Sequence, residues 1–205
     1  MPPAPMPVPV ILPADARRLG RALEFAAERH GGQARKGTEI PYVSHLLHVA
    51  GFVLEHGGDV DQAMAALLHD VVEDCGVRPA ELESYFGARV ARIVVECTDL
   101  LDGDTPEAKS DWLTRKQRYL DHLPTAWPPS WLVSACDKRH NLAALVADLR
   151  RHGPAYLGRF NAGGDQQLWF YRAFHAAARS NIPAALAADL ASLADQFAAL
   201  IGSRA

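Results

Sequence analysis

The chain has 205 residues, 49% of them hydrophobic and 22% charged, with a formal net charge of −3. That is one ordinary domain with enough apolar mass for a sizeable core, and no overall positive field to recruit nucleic acid. Three cysteines, Cys75, Cys97 and Cys136, make an odd set without metal-site spacing, which points to a reduced, cytoplasmic protein and away from a disulfide framework.

Residues 1–13 read as a Pro-rich N-terminal arm with no basic region and too much proline for a signal peptide. From residue 14 onward the hydrophobic period is helical almost throughout, and strand-like alternation is nearly absent. A first helix is expected over 14–29, with Leu19, Leu23, Phe25 and Ala26 on one side and Gly31-Gly32 as its stop. Residues 33–39 form a polar, basic loop carrying Arg35 and Lys36. Pro41 opens the helix that bears His45, which runs to Gly57-Gly58. Asp59 can cap the next helix, whose good helix formers Gln62 to Leu68 lead into His69 and Asp70. Short helices over 79–85 and 88–96 follow, then an acidic loop over 101–110. Asp111 caps a helix to Leu123, and prolines mark the turn into a long helix, 131–151, containing Asp137. Gly153-Pro154 breaks it. Two more helices, over 166–179 and from Pro183 to about Leu200, complete the chain. No apolar run approaches the roughly 20 residues of a membrane span. The expectation is an all-α fold, one compact helical domain over 14–205.

His69-Asp70-Val71-Val72-Glu73-Asp74 concentrates the chemistry. On a continuous helix Asp70 and Asp74 share a face, His69 and Glu73 lie beside them, and Val71 and Val72 can turn to the core. Such a cluster offers nitrogen and oxygen to a divalent metal and leaves two carboxylates to manage a water. The bland alternative is a solvated turn ended by Gly76. His45 and Asp137 would supply a second imidazole and a further carboxylate. Two histidines and two carboxylates suit Mn²⁺, Fe²⁺ or Zn²⁺ better than Mg²⁺ or Ca²⁺. Arg35 and Lys36 could bind a phosphorylated nucleotide, though alone they are as compatible with an ordinary solvated loop. Arg115, Lys116 and Arg118 could reach a diphosphate or form an exposed helix face. The aromatic group Trp169, Phe170, Tyr171 and Phe174 has core spacing, with Tyr171 also a possible pocket wall. Trp127 and Trp131 read as core.

In order and spacing the segments His30 to Gly37, Pro41 to His45, Ala65 to Asp74, Phe86-Gly87 with Val90, and Asp137 to Asn141 resemble the HD-domain phosphohydrolases. The resemblance is to the hydrolase domain of the RelA/SpoT alarmone enzymes, in particular the small stand-alone members, and it spans residues 23–149. It implies that His45, His69, Asp70 and Asp137 hold one Mn²⁺, with Fe²⁺ or Zn²⁺ less favoured. It implies that Glu73 and Asp74 activate and orient the attacking water. Arg35 and Lys36 would contact the nucleotide, and Asn141 would line the ribose side of the pocket. Lys138, after the ligand Asp137, could add charge at the rim or be a solvated neighbour. His48 would pack beside the site, and His140 would be a structural hydrogen-bonder.

The sequence departs from the family at Lys138-Arg139, where the larger enzymes read Arg-Leu, and at Cys75 and Glu96 to Asp99. The implied reaction is hydrolysis of guanosine 3′,5′-bis(diphosphate) at the 3′ position with release of diphosphate. Adenosine alarmones, the 2′-phosphate of NADPH, or binding without turnover are the alternatives. The expected partner is a small nucleotide, with no nucleic acid and no membrane; the sequence leaves the oligomeric state open.

Overall fold

Pro13 starts the first helix, because a proline at the first helical position gives up an amide that would be unbonded there anyway. The structure is a computed structural model and describes residues 11–100 and 103–202. Most of the expected arm, residues 1–10, lies outside the described residues. Helix α1 spans Pro13–Arg29, α2 Val43–Glu55, α3 Val60–Leu68, α4 Val71–Cys75 and α5 Pro79–Phe86. Then come α6 Ala88–Cys97, α7 Trp112–His122, α8 Pro128–His152, α9 Gly164–Ala178 and α10 Ala184–Gly202. Among the described residues the only extended pairing is an isolated bridge between Ala34 and Pro41. That bridge shapes the basic loop. Arg35 donates to the Ile40 carbonyl at 2.8 Å and Tyr42 to the Gln33 carbonyl at 2.9 Å.

Two boundaries differ from the sequence reading. Helix α8 begins at Pro128, ahead of Trp131, because Pro128 and Pro129 occupy its first turn. The expected continuous helix through Glu73 is broken: α3 ends at Leu68, and α4 begins only at Val71. The cap of α3 is as expected. Asp59 accepts from the Gln62 amide at 2.9 Å and the Gln62 side chain accepts from the Asp59 amide at 3.0 Å, so each satisfies an end group of the other.

Helix α3 is the axis of the fold. All residues from Ala63 to Leu68 are buried, and α1, α2, α6 and α8 pack around them. Three alanines in that run let the neighbouring backbones come close while Met64, Leu67 and Leu68 fill the spaces between. A smaller core joins Leu142, Leu145 and Leu149 of α8 to Ala194 and Phe197 of α10. By length and composition α10 is apolar enough to cross a membrane, since its alanines raise the mean hydropathy to 1.4. Here it packs on α8 and α9.

Gly58 sits where α2 turns into α3. A Cβ there would lie 2.5 Å from Val53 Cγ1 and 2.8 Å from the Val53 carbonyl. Gly58→Ala is therefore expected to cost about 1–3 kcal/mol by overpacking, read as a lower Tm; an unchanged Tm would show that this turn has slack.

Candidate active site

Three separate helices deliver the quartet. His45 lies in the first turn of α2, His69 closes α3, Asp70 occupies the break before α4, and Asp137 sits mid-way along α8. Side-chain bonds accompany the break. His69 Nδ1 lies 2.8 Å from the Ala66 carbonyl, and the Tyr42 hydroxyl donates to Asp70 Oδ2 at 2.5 Å. Asp70 takes φ −100° and ψ −4°, off helical values, and turns toward the histidines. Asp74 remains one turn on, its amide bonded to the Asp70 carbonyl at 2.8 Å. Val71 is fully buried, as expected, while Val72 is only partly so.

The donor atoms converge. His45 Nε2 lies 3.2 Å from Asp137 Oδ1 and 3.6 Å from Asp70 Oδ2. His69 Nε2 lies 3.0 Å from Asp70 Oδ2 and 3.5 Å from Asp137 Oδ1. One ligand atom from each of His45, His69 and Asp137 falls within 4.8 Å of the others, and all three residues are buried. The Ala66 carbonyl only accepts, so His69 Nδ1 donates to it, which aims Nε2 at the carboxylates of Asp70 and Asp137. His45 Nδ1 lies 2.8 Å from His140 Nδ1, and burial, with His45 and Arg35 nearby, pushes His140 down to about 3, keeping it neutral. His45 Nδ1 is engaged by His140, so its Nε2 likewise faces the carboxylates. The two Nε2 atoms lie 3.2 Å apart beside Asp70 and Asp137. Two imidazole nitrogens and two carboxylates converging on one point are a donor set that fits a divalent metal.

The carboxylates are prepared for that role. Burial works against ionised Asp137, but Lys138, whose Nζ donates to Asp137 Oδ2 at 2.9 Å, and then His45 and His69 hold its pKa well below the usual carboxylate range. Lys138 therefore does not stand at a solvated rim. It is buried, with Nζ 4.7 Å from the Tyr119 ring centre, because the α8 register turns it inward beside Asp137. Asn141, one turn on, donates to Asp137 Oδ1 at 2.5 Å.

Glu73 and Asp74 lie beside this centre within an ion cluster. Lys109, from the loop before α7, reaches Glu73 Oε1 at 2.9 Å and Asp74 Oδ1 at 2.7 Å. Arg115 is buried, bonded to Asp99 and 3.5 Å from Glu73 Oε1, and Lys116 also bonds Asp99. Gln33 donates to Asp74 Oδ2 at 3.2 Å. Burial, followed by repulsion from Asp99, raises the Glu73 carboxyl to about 6. Sequence reasoning missed Lys109, Asp99, Gln33 and Tyr42. It had left Arg115 between a substrate contact and an exposed face, and its ion pairs place it in neither.

A cavity of about 680 Å³ opens over the centre. Arg35, Lys36, His45, Asp74, Asp137, Lys138 and Asn141 line it, together with Phe170 and Tyr171. Arg35 donates to Asn141 Oδ1 at 2.7 Å and lies over the Tyr42 ring. Lys36 donates to Asn161 Oδ1 at 3.1 Å. His48 stacks near His140, with ring centres 4.9 Å apart, outside the quartet. Arg118 lines a second, more open cavity of about 830 Å³ between α7 and α9, which holds none of these groups. Trp131, Phe170 and Phe174 are core, as expected.

A buried centre of two imidazoles and two carboxylates on a helical scaffold, next to an acidic pair and under a basic cavity wall, defines a metal-binding hydrolase class. The HD-domain family profile matches residues 22–153, and the chain belongs to that family. Among curated relatives, the chain is 40% identical over 144 residues to guanosine-3′,5′-bis(diphosphate) 3′-pyrophosphohydrolase MESH1 of Xenopus tropicalis, covering 69% of this chain and 74% of that one. It is 38% identical over 135 residues to the Homo sapiens protein of the same name, covering 64% and 72%. Among solved structures, it is similar to one described as a metazoan ortholog of SpoT that hydrolyzes ppGpp and plays a role in starvation responses. The TM-score is 0.70 at 27% identity, over 87% of this chain and 94% of that one.

Proposed function

We propose that the chain hydrolyses guanosine 3′,5′-bis(diphosphate), in the cytoplasm, using one Mn²⁺ held by His45, His69, Asp70 and Asp137. Water attacks the phosphorus joined to the 3′ oxygen; diphosphate leaves and guanosine 5′-diphosphate remains. The observation that carries this reading is the pair of imidazole Nε2 atoms 3.2 Å apart, flanked by two carboxylates, beneath a cavity walled by Arg35 and Lys36. The substrate is taken from the activity for which the relatives are named.

Held by His45, His69, Asp70 and Asp137, a divalent ion would supply Lewis acidity toward a phosphoryl oxygen and the attacking water. The protein's own groups do the rest. Lys138 and Asn141 hold Asp137 anionic and oriented, and Tyr42 holds Asp70. Asp74 faces the cavity and orients the water, and Glu73 beside it takes the proton. Arg35 is fixed by Asn141 and Tyr42, so its charge meets the nucleotide without first losing much side-chain freedom. Lys36 adds positive charge at the same wall, and Phe170 and Tyr171 limit water in the cavity.

A screen with Mn²⁺ over guanosine and adenosine alarmones, NADPH and simple nucleotides tests the substrate. The expected result is preferential release of diphosphate from guanosine 3′,5′-bis(diphosphate). Phosphate released from NADPH, with no diphosphate from any alarmone, would overturn the substrate and leave the metal quartet standing. In the same assay Lys36→Ala is expected to weaken turnover of the alarmone more than that of a small phosphate ester lacking the nucleoside. Equal losses on both would remove Lys36 from nucleotide binding.

A further inference from the structure

We infer that Lys109 is a positioning residue for the Glu73–Asp74 pair: a single ammonium, carried in by the loop before α7, clamps the two carboxylates into one geometry. This rests on the function proposed above and adds a group to its machinery. The loop is built to deliver the lysine. Thr105 and Ala108 exchange backbone hydrogen bonds at 3.3 and 3.1 Å, closing a turn around Pro106. Asp104 Oδ1 accepts from both the amide and the hydroxyl of Ser110, at 2.9 and 2.6 Å. Pro106 lies over Gly76, the left-handed residue that ends α4, so the arch sits against the short helix bearing the acid pair. Lys109 is the cation of an otherwise acidic segment, and it stands between Pro106 and the α7 cap Asp111.

Adjacent carboxylates repel and would swing apart if left to water. Lys109 bonds Glu73 Oε1 at 2.9 Å and Asp74 Oδ1 at 2.7 Å, which ties them together. Gln33 fixes the other Asp74 oxygen. The two cations that reach hydrogen-bond distance of Glu73, Lys109 and Arg115, both fall on Oε1. Among the described residues no hydrogen bond closes on Oε2, which is left to accept the proton of the attacking water. Neither neighbouring cation can replace the clamp, because Arg115 and Lys116 are both committed to Asp99.

The test compares Lys109→Gln and Lys109→Arg with the full-length wild type, using guanosine 3′,5′-bis(diphosphate) and Mn²⁺. Arg118→Gln, on the second cavity, is the control. Lys109→Gln should lower kcat on the order of 10–10²-fold, as expected when a reacting group is misplaced by about 1 Å, with KM changed less than about threefold. Metal content and Tm should stay at wild-type values, and Lys109→Arg should recover most of the loss. A raised KM with unchanged kcat would make Lys109 a substrate contact, and an arginine variant no better than glutamine would make it a packing residue; either overturns the proposal. A wild type that releases no diphosphate refutes the proposed function; one that does, alongside an equally active Lys109→Gln, refutes only the clamp. Carboxyl ¹³C NMR gives a readout free of substrate. The Glu73 and Asp74 resonances should shift in Lys109→Gln, and spectra identical to wild type would overturn the clamp.

Discussion

Glu73→Gln is expected to lower hydrolysis by about 10²–10⁴-fold, the usual worth of a positioned acid or base, with metal content unchanged. The pH dependence makes the assignment specific. Burial and Asp99 raise the Glu73 carboxyl to about 6, so the group is ionised and able to take a proton only above that value. Wild-type kcat/KM, which reports groups of the free enzyme, should therefore fall as pH drops through about 6, approaching a tenfold loss per unit, and the residual activity of Glu73→Gln should lack that limb. Asp74→Asn should show a loss of similar size, since it also surrenders charge at the contact with Lys109. Near wild-type turnover in both variants would mean that other carboxylates handle the water.

Loss of the metal is the second large effect. His69→Ala removes one of the two imidazole nitrogens of the quartet, and the protein purified without chelator should carry background metal and show background hydrolysis. Asp137→Asn is expected to do more. It deletes a ligand charge and leaves the Lys138 ammonium buried beside a neutral amide. Breaking a buried pair in this way costs about 3–5 kcal/mol, so Tm should fall together with metal content. Metal analysis and thermal melts check both. Metal retained in His69→Ala and Asp137→Asn would place the ion elsewhere.

The helical fold was legible because helix starts and stops rest on local chemistry: the Asp59–Gln62 cap, the Gly57-Gly58 and Gly153-Pro154 breaks, and the apolar period of α3. The convergence of His45, His69, Asp70 and Asp137 was legible only through the resemblance, since no local period brings residues 45 and 137 together. The break at His69–Asp70 was not visible. Gln62 to Asp74 contains no helix breaker, and the turn is held by tertiary partners such as Tyr42, 28 residues from Asp70. Lys109 was hidden for the same reason, because it lies in an acidic loop 36 residues from Glu73. The burial of Lys138 was not foreseen, because a lysine reads as a rim charge or a solvated neighbour until a buried carboxylate is seen beside it.

Product analysis with Mn²⁺-loaded protein and guanosine 3′,5′-bis(diphosphate), followed by ³¹P NMR, tests the central claim most directly. The expected products are intact diphosphate and guanosine 5′-diphosphate in equal amounts, because attack falls on the phosphorus joined to the 3′ oxygen. Single phosphates released stepwise, or no product from this nucleotide at any Mn²⁺ concentration, would contradict it.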